Sequence, residues 1–110
     1  MIIRSYMKTQ QIQLEAKLFK GFADQSRLSI VSTILDGPRT VTEIAEKTNL
    51  SQSNTSAHLS CLLECGLIKK EKRGREVLYE VASKDVSDII ICARKLLKKH
   101  SKEFYNCTHY

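Results

Sequence analysis

The chain has 110 residues, which is enough for one compact domain. Its residues are 42% hydrophobic, and three Phe, four Tyr and no Trp predict a mainly aliphatic core. Eighteen Lys and Arg against twelve Asp and Glu give a net charge of +6, which favours a polyanionic partner. No apolar run approaches the ~20 residues of a membrane span, and none near Met1 has signal-peptide length, so we expect a cytoplasmic protein without a membrane partner.

All four cysteines lie in the second half of the chain, at positions 61, 65, 92 and 107. In a chain without secretory features, this placement does not fit a disulfide framework. We therefore expect reduced thiols, which serve metal binding, redox chemistry or packing.

The first half of the chain has the pattern of successive helices. Residues 1–8 lack periodicity and are expected to form a flexible or partner-dependent start, whereas apolar residues at helical spacing from Gln11 predict a first helix. Asp24 is a suitable N-cap for a second helix, which ends at Gly37 and Pro38.

Two further helices follow, joined by a short turn. Thr40 with Glu43 three residues later has the pattern of a capping box. Ser51 then opens a helix from Gln52 to about Cys65, which Gly66 is suited to end. This pair of helices has helix-turn-helix organisation.

The remainder of the chain predicts a β-hairpin and one long helix. Two strand-like runs flank Gly74, and the hairpin tip, Lys69 to Arg75, is strongly basic. The last helix, from Lys84 to about Phe104, has an apolar face wide enough to suggest a dimer surface, and residues 105–110 form a C-terminal tail. The element order predicts a mainly α fold with a small β-hairpin, a winged helix-turn-helix, as a single domain over residues 1–110.

Short hydrogen-bonding side chains crowd the start of the fourth helix, where a recognition helix contacts base edges and phosphates. Gln and Asn can pair bidentately with adenine, and a basic wing adds phosphate contacts. An ordinary capped helix and a solvated hairpin are the alternatives. The candidate DNA-binding residues are Gln52, Ser53, Asn54, Thr55, His58, Arg73 and Arg75.

Three segments together resemble the ArsR/SmtB-type repressors. They are residues 22–28 (FADQSRL), residues 50–68 (LSQSNTSAHLSCLLECGLI) and residues 74–79 (GREVLY). The resemblance covers roughly residues 12–100 and implies a homodimeric winged-helix repressor whose first and last helices form the dimer interface. It also implies that an inducer, often a metal ion, lowers its affinity for operator double-stranded DNA.

Cys61 and Cys65 are one helical turn apart, so their Cβ atoms would be ~5–6 Å apart on one face. Thiolates are soft ligands suited to thiophilic ions. The alternative is packing, because a free Cys behaves as a small hydrophobic residue.

The arrangement of the thiols is similar to that in the cadmium- and lead-sensing branch of the family. This similarity implies a three-thiolate site of Cys61, Cys65 and Cys107 for Cd(II) or Pb(II), with Zn(II) as a further candidate and His109 as a candidate fourth ligand. The sites of other branches do not match, because the N-terminal region has no Cys and residues 41–43 do not form Cys-x-Cys. Cys92 is expected in the core or at the dimer interface.

The main alternative function is a thiol redox-sensing repressor on the same fold, in which Cys61 and Cys65 or Cys107 become oxidised. An enzyme is not expected, because the sequence has no clustered acid/base pair, phosphate-binding loop or nucleophile motif.

Overall fold

The computed structural model describes the backbone of residues 2–107 and the side chains of residues 8–107. Within them, five helices and a two-stranded antiparallel sheet follow in the predicted order. They are α1 (Ile2–Ala23), α2 (Gln25–Thr33), α3 (Val41–Thr48), α4 (Gln52–Glu64), β1 (Ile68–Arg73), β2 (Glu76–Val81) and α5 (Lys84–Asn106). The mainly helical winged helix-turn-helix expected from the sequence is confirmed.

Helix α1 is longer and less buried than its sequence pattern suggests. It begins at Ile2, so most of the segment that lacks periodicity is helical. Among the apolar side chains of residues 8–23 in this helix, only Phe22 is buried, whereas Ile12, Leu14 and Phe19 are 61–68% exposed. The apolar face of α1 is therefore largely outside the core of a single chain.

A network of polar contacts fixes the corner between α1 and α2. Asp24 caps α2, because its Oδ2 accepts a hydrogen bond from the backbone N–H of Arg27 at 2.9 Å. The Arg27 side chain turns back and donates from Nε to the carbonyl of Gly21, also at 2.9 Å. One short segment thus satisfies the first N–H groups of α2 and the last carbonyls of α1.

The core is aliphatic, as the composition predicts, and centres on α2 and its neighbours. Its side chains are at most 9% exposed and form one continuous cluster. Its members are Phe22, Ile30, Val31, Ile34, Ile44, Leu59, Leu62, Leu67, Ile68, Val86 and Ile90.

Both caps predicted in the helix-turn-helix are confirmed. Thr40 and Glu43 form a complete capping box, with side-chain to backbone distances of 3.2 and 2.9 Å. The Ser51 hydroxyl accepts a hydrogen bond from the N–H of Asn54 at 3.0 Å. Since these bonds fix where α3 and α4 begin, they also fix which residues form the front of α4.

The wing is a hairpin with a two-residue turn. Arg73 pairs with Glu76, and Gly74 between them has φ 63°, which glycine adopts without strain. On its other side, β2 exchanges two backbone hydrogen bonds with Arg39 through Tyr79, at 2.8 and 3.0 Å. This bridge anchors the base of the wing to the start of the helix-turn-helix.

The buried side chains of α5 lie near its beginning. Val86 and Ile90 are buried, and residues 91–107 are all exposed in the single chain. The helix continues two residues beyond Phe104, with non-helical backbone angles at His100.

Cys92 is exposed, so the expectation of a core position is wrong, and an interface position stays a prediction. None of the helices within residues 2–107 combines the length and apolar character needed to cross a bilayer.

Replacing a core residue of α2 should destabilise the chain strongly. Ile30 is 0% exposed, so we expect Ile30→Ala to lower the free energy of unfolding by about 2–5 kcal/mol. Val77→Ala on the wing, where Val77 is 37% exposed, should cost about 1 kcal/mol or less. Urea unfolding at a fixed protein concentration measures both, and equal losses would contradict this core assignment.

Candidate nucleic-acid interface and thiol site

Three inward-facing side chains set the orientation of α4. Thr55, Leu59 and Leu62 follow one another at helical spacing and are 0–1% exposed. Because they hold one face of α4 against the core, the opposite face is turned outward.

The front of α4 presents polar side chains to solvent. Gln52, Ser53 and Asn54 are exposed, and the Gln52 amide donates a 3.4 Å hydrogen bond to the Thr42 hydroxyl of α3. The unpaired N–H groups of the first turn lie at the same end of the helix. This end of α4 can therefore contact base edges and phosphates.

Thr55 is not part of this exposed front, although the sequence places it among the DNA-binding candidates. The residue is fully buried, and its hydroxyl donates a 2.8 Å hydrogen bond to the Ser51 carbonyl. The expectation of a DNA contact from Thr55 is wrong, because sequence spacing alone did not show which side of the first turn faces the core.

His58 lies on a flank of α4 that faces the start of α2. The side chain is half-buried. The pKa of the nearby Asp24 carboxyl is lowered mainly by the hydrogen bond from the Arg27 N–H, with smaller contributions from the proximity of the Arg27 side chain and of His58. A phosphate contact by His58 stays a prediction.

The wing carries a dense set of exposed cations. Within it, Lys69 lies 3.6 Å from Glu80, and Arg73 lies 3.2 Å from Glu71. Arg75 in the turn makes no ion pair within 4 Å among the side chains of residues 8–107. Arg75 is therefore available to contact an external phosphate. Arg73 could also contact one by exchanging Glu71 for the phosphate.

The structure places Cys61 and Cys65 together but Cys107 elsewhere in the fold. Cys61 is half-buried on α4, and Cys65 is the exposed C-cap, whose N–H donates to the Cys61 carbonyl at 3.0 Å. Cys107 is the exposed C-cap of α5. Within the described part of a single chain, no three His, Cys, Asp or Glu side chains are arranged to hold a metal ion. His109 lies outside the described residues.

A cleft of about 520 Å³ opens beside Cys65, between α1 and the end of α4. Lys17 from α1 and Glu64 from α4 are the charged residues on its walls. Neither residue was predicted from the sequence, because nothing in their spacing indicates that α1 passes the end of α4. The cleft gives Cys65 space to meet a ligand or an approaching chain segment.

Comparison with known proteins agrees with this arrangement. The family model described as "Bacterial regulatory protein, arsR family" matches residues 24–70. The "Probable mercury resistance operon repressor" of Streptomyces lividans is 36% identical over 93 residues, covering 84% of this chain and 74% of that protein. The regulator CmtR of Mycobacterium tuberculosis is 40% identical over 67 residues, covering 61% of this chain and 57% of that protein.

Two solved structures share the fold across most of their length. A homodimeric winged helix-turn-helix DNA-binding domain from Mycobacterium bovis superposes with a TM-score of 0.79 at 25% identity, covering 94% and 93% of the two chains. Reduced HlyU from Vibrio cholerae superposes with a TM-score of 0.75 at 30% identity, covering 82% of this chain and 95% of HlyU.

The fold and the polar front of α4 define a winged helix-turn-helix transcriptional regulator. More particularly, the chain belongs to the arsR family of bacterial regulatory proteins.

The Asp24 cap makes stability depend on pH in the acid range. Because the pKa of Asp24 is lower in the folded chain, its contribution is present at neutral pH and is lost as the pH falls through the folded pKa. An asparagine at this position could still cap α2 but does not titrate, so the stability difference between wild type and Asp24→Asn should shrink from pH 7 to about pH 3. Urea unfolding at both pH values measures it, and a difference independent of pH would contradict this role.

Proposed function

We propose that the protein is a metal-responsive transcriptional repressor of the cytoplasm. A homodimer binds operator DNA without metal, and Cd(II) or Pb(II), bound through Cys61, Cys65 and Cys107, releases it. The observation that carries the proposal is that one helix, α4, bears both the exposed polar front and two of the thiols.

The DNA-binding part of the proposal is supported by shape and charge. The polar front of α4 and the basic wing, the latter anchored through Arg39 and Tyr79, belong to one compact helix-turn-helix unit. Helix α4 would lie in the major groove and the wing would contact phosphates. A homologous solved structure is described as a DNA-binding domain. The DNA-contacting set becomes Gln52, Ser53, Asn54, Arg73 and Arg75, with His58 as a candidate.

The homodimer is supported by apolar surface that a single chain leaves uncovered. Leu14 and Phe19 of α1 and Leu96 of α5 are 50–68% exposed. An apolar groove of about 200 Å³ runs between α1, α2 and α5, with Phe19 and Leu97 on its walls. A second copy would cover these faces, and the homologous domain from Mycobacterium bovis is a homodimer.

The metal-binding part is supported by the chemistry of the thiols. Cys61 and Cys65 are one turn apart, and thiolates suit soft ions. Because a single described chain does not bring Cys107 to them, the proposal takes Cys107 from the partner subunit, whose tail would enter the cleft beside Cys65. Zn(II) is a weaker candidate, and the name of one relative, a probable mercury resistance operon repressor, supports metal sensing in general.

A thiol redox switch is the second candidate. Cys65 and Cys107 are exposed and unpaired, so oxidants can reach them. The activator HlyU of Vibrio cholerae is 34% identical over 79 residues, covering 72% of this chain and 73% of HlyU, and one HlyU structure is of its reduced form. Peroxide that releases DNA in the presence of a chelator would favour this candidate, whereas release by Cd(II) under reductant favours the metal sensor.

Asn54 and Arg75 should affect DNA binding in different ways. Asn54→Ala should weaken binding by about 1–3 kcal/mol and relax the preference at one base position. Arg75→Ala should weaken binding to all sequences. It should also reduce the salt slope, which is the slope of the logarithm of affinity against the logarithm of salt concentration, by about one. Fluorescence anisotropy measures both, with a duplex that the wild-type chain selects from a random pool.

Lys95→Gln on α5 is the matched control, because it removes an exposed positive charge far along the chain from the wing. It should leave the salt slope unchanged. If Lys95→Gln and Arg75→Ala lower the slope equally, the wing has no special role in DNA binding.

The three proposed thiol ligands should differ from Cys92 in metal titrations. Cys61→Ser, Cys65→Ser and Cys107→Ser should each weaken Cd(II) binding and reduce the thiolate-to-cadmium charge-transfer absorption by about one third, since each removes one of three thiolates. Cys92→Ser should leave both unchanged. A Cys107→Ser variant that binds Cd(II) as tightly as wild type would exclude the three-thiolate site.

A further inference from the structure

A second pocket, of about 380 Å³, opens among the end of α2, α3 and α5. It is separate from the thiols and from the cleft beside Cys65, and it shares Ser32 and Arg94 with the edge of the apolar groove between α1, α2 and α5. The polar and charged residues that line it are Ser32, Thr33, Asp36, Arg39, Lys47 and Arg94. Such a concave surface with a few converging polar groups is typical of small-ligand sites.

The pocket is positively charged. Three cations reach it from different elements: Arg39 from the segment before α3, Lys47 from the last turn of α3, and Arg94 from α5. The carboxylate on its wall, Asp36, is 76% exposed and lies 3.6 Å from Arg39. The local excess of positive charge favours an anionic ligand.

The two guanidinium groups are held in place by the fold. Arg39 donates from Nε to the Thr33 carbonyl at 2.7 Å. Arg94 donates from Nη2 to the Ser32 hydroxyl at 3.2 Å, and that hydroxyl donates in turn to the Leu28 carbonyl. Each guanidinium has five N–H donors, so most stay available to a ligand. Donors that are already positioned lose less entropy when they bind.

Lys47 is the third donor. The pKa of the Glu43 carboxyl is lowered mainly by its hydrogen bond with the Thr40 backbone and further by the nearby Arg39 and Lys47. Three cations therefore face the two carboxylates Asp36 and Glu43. Lys47 makes no ion pair within 4 Å among the side chains of residues 8–107. Its ammonium group is therefore free to approach an oxygen that the two guanidinium groups hold.

We propose that this pocket binds a phosphate group. Guanidinium donors match phosphate oxygens in pairs, and a lysine adds a point charge. The volume is at the small end of ligand pockets, which suits a small phosphorylated molecule; a phosphate of the DNA backbone is the other source of the same chemistry. A bound phosphate would link α3 of the helix-turn-helix to α5, and the site does not depend on the thiols.

Calorimetric titration of the reduced full-length chain with inorganic phosphate, at constant ionic strength and without metal or DNA, tests the site. We expect saturable binding to the wild type that Arg94→Gln and Lys47→Gln each weaken about tenfold or more. Lys95→Gln, one residue further along α5, should bind phosphate as the wild type does. Circular dichroism confirms that the variants keep their helices.

A second experiment separates the two sources of phosphate. If free phosphate does not bind, but Arg94→Gln and Lys47→Gln each lower the salt slope of DNA binding by about one and Lys95→Gln does not, the pocket takes a phosphate of the DNA backbone. Two results would overturn the proposal. One is a phosphate affinity that is the same in Arg94→Gln, Lys47→Gln and Lys95→Gln. The other is the absence of phosphate binding to the wild type together with an unchanged salt slope of DNA binding in Arg94→Gln and Lys47→Gln. Because the first experiment uses neither DNA nor metal, its failure is distinguishable from failure of the repressor function.

Discussion

Burial of Thr55, Leu59 and Leu62 against the core fixes the rotation of α4 about its own axis, and the proposed function depends on that rotation. With these three side chains 0–1% exposed, the polar front of the helix has to face solvent. The caps at Thr40 and Ser51 fix the residues at which α3 and α4 begin. A shift of α4 by one residue would rotate its side chains by about 100° and turn Leu59 and Leu62 away from the core.

The same rotation determines where the thiols lie. His58, Cys61 and Cys65 follow one another at helical spacing along one flank, and the structure places the two ends of this series beside Asp24 and beside α1. In the proposed mechanism, a metal that joins the thiols to the tail of the partner pulls on the helix that carries the polar front. Coupling between two sites of this kind is typically ~1–3 kcal/mol, which is enough to change DNA occupancy several-fold or more.

Local features of the fold could be predicted from the sequence, because they depend on neighbouring residues. The Asp24 cap, the Thr40–Glu43 box and the turn at Gly74 each follow from side-chain chemistry within a few positions. The burial of Thr55 could not, because it depends on how α4 packs against α2. The separation of Cys107 from the other thiols depends on the length and direction of α5, which spacing along the chain does not specify. The pocket of Arg39, Lys47 and Arg94 could not be predicted either, because its cations come from parts of the chain that are far apart in sequence.

The most direct test of the repressor proposal is the anisotropy of a labelled duplex, selected by the wild-type chain, while Cd(II) is added to the reduced, metal-free protein–DNA complex. We expect the duplex to be released as the thiol sites fill, and a chelator to restore the complex. Binding of DNA that is unchanged when Cd(II) occupies the thiols would contradict the proposal.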